Sequence, residues 1–175
     1  MTPITLVPLS SELHSSALRQ VYRATPHYWQ MHGFPLYPEG QAENDLKAAA
    51  ETPGRTLLGI VQRVDPTDPN QGAEMIGLID FRLHWPGETV ASIGLLMVAE
   101  PYQRQGIATQ SWQLLANWLA ASAGILKVRL GVEQFNTAAL KFFESAGFRL
   151  TGETSRVRVG TRWVRLLYME QELSV

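Results

Sequence analysis

Fifteen residues, Leu95 to Thr109, hold the spacing with the clearest chemical use. An apolar, strand-like run ends at Pro101, a polar turn with one glycine follows, and an amphipathic helical pattern begins at Ile107. Within this stretch Gln103-x-x-Gly106-x-Ala108 sets nearly bare backbone at a helix start. Unpaired N–H groups and the positive end of the helix dipole converge there, which suits a phosphate. Gly106 and Ala108 carry almost no side chain, so an anion can approach the main chain closely.

A second element lies about thirty residues on: Asn136-x-x-Ala139-x-x-Phe142-Phe143-x-x-x-Gly147-Phe148. Asn136 suits an N-cap, because its side-chain oxygen can accept from the exposed N–H groups of a first turn. Ala139, Phe142, Phe143 and Ala146 fall at helical spacing on one face. Gly147 fits the left-handed position just past a helix, with Phe148 folding back onto Phe143. Before it, Leu126, Val128, Leu130 and Val132 alternate with Lys127, Arg129 and Gly131, as a strand does.

The two elements together resemble the GNAT superfamily of acetyl-CoA-dependent N-acetyltransferases, over roughly residues 74–172. The resemblance implies that the N–H groups of Arg104, Gln105, Gly106, Ile107, Ala108 and Thr109 hold the pyrophosphate, with Gln103 opening the loop and Arg104 adding opposite charge. It implies open backbone groups at Met97 and Val98 beside the pantetheine arm, one of them polarising the thioester carbonyl. Asn136 and Phe143 belong to the second cofactor element. Acetyl-CoA is then the acyl donor, no metal is required, and a primary amine of a small molecule, ahead of a peptide, is the acceptor.

Acid–base groups depart from the family pattern. A tyrosine common there seven residues after the Asn is Phe143 here, which carries no proton. A Glu frequent five residues before the Asn is Gly131, and another on the fourth strand is Ser92. An alkylamine has a reference pKa near ~10.4, so some group or water must take its proton. Glu133, Asp80 and His84 are the candidate catalytic residues, with Tyr102 and Tyr168 behind them. Asp80, between Ile79 and Phe81, is expected to be partly buried, where its affinity for a proton would rise. A rival reading is an acyl-CoA-binding regulatory or interaction domain that kept the fold without turnover.

Residues 26–40 concentrate His27, Tyr28, Trp29, His32, Phe34 and Tyr37 among prolines and glycines, too broken for a regular element. Tyr28, Trp29, His32, Phe34 and Tyr37 could stack on an aromatic acceptor or cover a cation. Glu39, Glu43 and Asp45 would favour a basic one. The same rings could instead pack on the sheet or meet a second copy in a homodimer.

The elements that must carry these residues read in the order β-α-α-β-β-β-α-β-α-β-β. This is an α/β (α+β) fold: a mixed, mostly antiparallel sheet of six to seven strands flanked by about four helices. After a strand at Ile4–Leu9, Ser10 or Ser11 can cap a helix that runs to about Arg23, and Ala42, Leu46, Ala49 and Ala50 mark another helix. Strands follow at Leu57–Val64, Met75–His84 and Thr89–Val98, with a turn over Asp65–Gly72. The helix from Ile107 is expected to bury Ile107, Leu114, Leu115, Trp118 and Leu119. The last strand pair turns at Gly160-Thr161.

At 175 residues and 45% apolar the chain suits one domain, 1–175, with a substantial core. A net charge of −1 argues against a nucleic-acid footprint. With no cysteine there is no disulfide or thiolate chemistry, and the four histidines lack metal-ligand spacing. Neither a signal peptide nor a run of ~20 apolar residues is evident, so a cytoplasmic protein, not bound to membrane, is the expectation.

Overall fold

The computed structural model describes residues 2–65, 67–68 and 71–174. Seven strands form one sheet in the order β1-β2-β3-β4-β5-β7-β6. They are β1 (Ile4–Pro8), β2 (Arg55–Arg63), β3 (Ala73–Leu83), β4 (Val90–Val98), β5 (Lys127–Glu133), β6 (Arg149–Val159) and β7 (Arg162–Glu172). Every pairing is antiparallel except β4–β5. A parallel neighbour requires a crossover, and helix α4 (Ile107–Ser122) supplies it.

The parallel pairing is short. It runs from Val90↔Lys127 to Ile93↔Leu130, whereas β4 continues to Val98 and β5 to Glu133. A bulge in β4 accounts for the parting: Asp80 pairs Leu95 and Phe81 pairs Ile93, leaving Gly94 without a partner on β3. Such an extra residue bends its strand. The two strands therefore splay, and the gap between them opens beside the start of α4.

On β5, Val128, Leu130 and Val132 are at most 3% exposed and face the main core, with Leu115 and Leu119 of α4 and Phe148. Burying each such aliphatic side chain contributes about 1.5–3 kcal/mol. Arg129, Gly131 and Glu133 alternate onto the other face. There α1 (Ser11–Arg23) and α3 (Gln41–Glu51) pack Leu18, Val21, Tyr22 and Leu46 over Leu57 and Leu78, forming a second core.

Two sequence expectations change here. Residues 26–40 do contain a regular element, helix α2 (Pro26–Met31), so the order gains a helix. Pro26 starts it: at the first helical position the missing N–H costs nothing and φ is already suitable. On α4 the buried stripe is Ile107, Ser111, Trp112, Leu115 and Leu119, while Leu114 and Trp118 remain 42% and 45% exposed. The stripe follows i, i+4 steps, which leaves Leu114 and Trp118 one row round the helix. The Asp65–Gly72 turn includes residues 66, 69 and 70, which lie outside the described residues; strands resume on both sides of it. Among the described residues no helix is long and apolar enough to cross a membrane.

Candidate active site

The turn before α4 is built to leave its amides free. Val98 ends β4, Glu100–Tyr102 make a single 3-10 turn, and both Arg104 (φ 64°) and Gly106 (φ 79°) adopt left-handed backbone. Gly106 occupies the N-cap position with no side-chain cap. The first-turn N–H groups of Ile107, Ala108 and Thr109 therefore have no intrahelical partner. Those of Arg104, Gln105 and Gly106 meet no protein acceptor among the described residues. Helix α5 (Thr137–Ser145) contrasts with it, because the Ala139 N–H donates to Asn136 Oδ1 at 3.1 Å.

Strand alternation decides which backbone groups of β4 are open. The Ala99 N–H donates to the Ile76 carbonyl at 2.7 Å, and Leu78 pairs Met97 in the same register. Met97 thus turns its N–H and C=O to β3, while Leu96 and Val98 point theirs into the gap. This corrects the expectation for Met97, whose place is taken by Leu96. The Val98 carbonyl is already engaged by Gln103 Nε2 at 2.8 Å, so one side chain of the loop locks the end of the open strand.

A groove of about 730 Å³ joins these parts. Leu96, Met97, Val98, Gln103, Arg104 and Ala108 line one side, and Asn136, Ala139, Phe142 and Phe143 the other. Gly106, Ile107 and Thr109 belong to the same turn; the Gln105 side chain turns back onto the Pro101 carbonyl. Where β4 and β5 part, a cavity of about 110 Å³ continues between Gly94–Leu96 and Leu130–Glu133. On the far side of Gly94 lies a third cavity, of about 290 Å³. Tyr28, Trp29, His32 and Phe34 wall it, and Asp45, Arg55 and Asp80 supply its charges. Tyr28 lines all three.

Both candidate carboxylates are paired. Glu133 Oε1 accepts from His32 Nε2 at 2.8 Å, and His32 Nδ1 lies 2.7 Å from the Tyr28 carbonyl. A carbonyl and a carboxylate only accept, so both ring nitrogens donate and the ring is imidazolium. Burial opposes that charge, but the Glu133 bond, together with the Tyr28 carbonyl, outweighs it and His32 is held above its ordinary pKa. Burial likewise works to raise the Glu133 carboxyl, and the His32 bond prevails, holding it below the usual range. Asp80 is gripped bidentately by Arg55, at 3.0 Å from Nε and 2.6 Å from Nη2. Asp80 is partly buried, as expected, and its carboxylate is charge-paired.

Other sequence candidates lie elsewhere. His84, in the β3–β4 turn, bonds the Glu88 carbonyl and lines none of the three cavities. The Tyr102 hydroxyl donates to Glu74 at 2.6 Å, and Tyr168 stacks 4.2 Å from the Arg129 guanidinium over Gly131. Ser92 pairs Arg129 in the β4–β5 register. Tyr37 packs on Tyr22 and Trp29 and, with Glu39 and Glu43, lines a separate cavity beside Arg19 and Arg23. Asp45 alone of the three acids near α3 reaches the aromatic cavity, held by Tyr22 at 2.5 Å and Gln41 at 2.8 Å. Arg55 and Gly94 were not anticipated: a strand-end arginine and one glycine in an apolar run carry no local signal. Among the described residues no cluster of His, Asp and Glu is arranged to hold a metal ion.

The profile of the Acetyltransferase (GNAT) family matches residues 18–148, and the chain belongs to that family. An acetyltransferase from Thermus thermophilus superposes with a TM-score of 0.76 at 23% identity, covering 99% of this chain and 100% of the other. Spermidine N-acetyltransferase from Vibrio cholerae, solved with CoA and spermine, gives 0.69 at 15% identity, covering 97% and 95%. The ribosomal-protein-S18-alanine N-acetyltransferase from Escherichia coli gives 0.68 at 18% identity, covering 99% and 96%. No curated protein matches the chain in sequence.

Proposed function

We propose that this chain transfers the acetyl group of acetyl-CoA to a primary amine of a small molecule, by direct attack in a ternary complex. The observation that carries the reading is one groove holding both an uncapped, left-handed turn before α4 and an unpaired edge on β4. A diphosphate and an extended amide-bearing arm need these two features side by side. The residues fit the ligand. Arg104 to Thr109 would hold the diphosphate, and Leu96 and Val98 would pair with the arm. The helix capped by Asn136, with Phe142 and Phe143, would cover it.

Acetyl-CoA supplies a thioester carbonyl open to a nucleophile. The open N–H groups of Leu96 and Val98 are the donors able to stabilise charge on that carbonyl oxygen. The aromatic cavity beyond Gly94 receives the amine, with Asp45 and Asp80 favouring a cationic acceptor and the rings of Tyr28, Trp29 and Phe34 its apolar body. Glu133, kept ionised by His32, takes a proton from the nitrogen directly or through water. Asp80 serves as an electrostatic wall, because Arg55 already occupies both its oxygens. One domain over 1–175, working in the cytoplasm, is part of the same reading.

Calorimetry with acetyl-CoA and thiol release across primary amines test it together. Micromolar binding with amine-dependent release is the expected result. Tight binding without release for any amine would favour an acyl-CoA-sensing domain, and no binding would remove both readings.

A further inference from the structure

Breaking a carbon–sulfur bond leaves a thiolate, which departs more readily toward a proton donor. Phe142 and Phe143 present the groove with apolar rings from α5. The Thr25 hydroxyl is spent on the carbonyls of Val21 and Tyr22 and on the Met97 sulfur. Tyr28 differs. It lines the groove, the gap between β4 and β5 and the aromatic cavity, and it shares the first two with Phe143. Its hydroxyl has no hydrogen-bond partner among the described residues and is not sealed from the cavities. Its ring is held between His32, 4.3 Å away, and Trp29, 4.9 Å away and edge-on. Its carbonyl is clamped by His32, which is itself fixed on Glu133.

Resting on the acetyl-transfer reading above, we propose that the Tyr28 hydroxyl is the hydrogen-bond donor that stabilises the departing sulfur, from α2 rather than from α5. As the amine nitrogen bonds to the carbonyl carbon and the carbon–sulfur bond breaks, the electron pair leaves on sulfur as a thiolate that accepts a hydrogen bond from the Tyr28 O–H. The nitrogen gives up its proton to Glu133 or water, and the thiolate is protonated from that pool as it departs, so charge and protons balance. Burial, reinforced by the negative charge of Glu133, Asp45 and Asp80, pushes the phenol well above its ordinary pKa. The hydroxyl consequently keeps its proton at every pH where the amine is reactive and remains able to donate a hydrogen bond to sulfur.

The thiol of CoA bound to the protein is a probe that needs no acceptor. Its ionisation, followed by thiolate absorbance, should move up by about one pH unit in Tyr28→Phe, since a lost hydrogen bond to a charged group is worth about that much. The shift should be reversed in part by adding Phe143→Tyr. With an amine acetylated by the wild type, Tyr28→Phe should lower kcat about 100-fold, the usual scale for a lost hydrogen-bond donor to developing charge, with KM for both substrates within about twofold. The second substitution should recover part of that loss. An unmoved thiol, or a loss confined to the amine's KM, would overturn the assignment. A moved thiol with no amine acetylated would instead sink the acceptor reading and leave the Tyr28 contact to sulfur standing.

Discussion

Glu133 Oε1 and His32 Nε2 meet at 2.8 Å across 101 residues of sequence, tying the last residue of β5 to the end of α2. The His32 side chain is 8% exposed and that of Glu133 22%. His32 lines the aromatic cavity and Glu133 the cavity between β4 and β5, so the bond joins the walls of the two. It also fixes the segment carrying Tyr28, because His32 holds the Tyr28 carbonyl through its other nitrogen. One ion pair thus orients both the Glu133 carboxylate and the segment that carries Tyr28.

The pair gives stability a defined pH window. His32 is raised, so its contribution is complete below its ordinary value of 6.5 and is lost as pH rises through the raised value. Glu133 is lowered, so its contribution is present above 4.5 and is lost as pH falls through the lowered value. His32→Gln should therefore cost most between those limits, about 2–3 kcal/mol, less than the ~3–5 of a fully buried pair. Thermal melts at a series of pH values check this. The gap between wild type and variant should shrink on the alkaline side, and a gap constant from pH 6 to pH 9.5 would dismiss the pairing.

At the other end of the groove Gly106→Asp should put a carboxylate among the free amides. Like-charge juxtaposition costs several kcal/mol, so affinity for acetyl-CoA should fall about 100-fold or more. The circular dichroism spectrum should persist, since aspartate tolerates left-handed backbone better than most residues. Calorimetry that finds affinity unchanged would remove the loop assignment.

The groove was legible in sequence because its parts are local. A glycine beside a helix start and an asparagine at a cap announce themselves within a few residues, and Ala139 does bond Asn136. The aromatic cavity was only half legible. Its rings cluster between residues 28 and 34, but its charges come from α3, β2 and β3 and meet only through the fold. Arg55 reaches Asp80 diagonally across the β2–β3 ladder, where Arg55 itself pairs Arg82 and Leu57 pairs Asp80. The open edge of β4 was assigned one residue off, to Met97 rather than Leu96. Which of two adjacent residues faces a neighbour is set by a hydrogen bond to Ile76, not by anything in the run Leu95–Val98.

Gly94 lies between the β4–β5 gap and the aromatic cavity, lining both. A Cβ there would lie 3.4 Å from Asp80 Oδ2, so a branched side chain must fill the passage over that carboxylate. Gly94→Val should raise the amine's KM about tenfold, the effect of ~1.4 kcal/mol of crowding. Affinity for acetyl-CoA, measured separately, should change less than about twofold. Equal losses of both would mean that the two ligands do not divide at residue 94.

The edge that Leu96 and Val98 present depends on how closely β3 approaches β4 behind it. A Cβ on Gly77 would stand 2.3 Å from the Met97 carbonyl oxygen and 3.2 Å from Val98 Cα, both backbone atoms that cannot swing aside. Gly77→Ala must push β4 toward the gap or break the pairing. Overpacking of this kind costs about 1–3 kcal/mol, so Tm should drop by roughly 3–8 °C. Gly72→Ala, where a Cβ meets nothing within 4 Å, is the control and should leave Tm within about 1 °C. Because the displaced atoms belong to the strand that would pair with the pantetheine arm, Gly77→Ala should also weaken acetyl-CoA binding at temperatures where the protein is fully folded. A destabilised protein that still binds acetyl-CoA at wild-type affinity would show that the ligand does not read the backbone of β4.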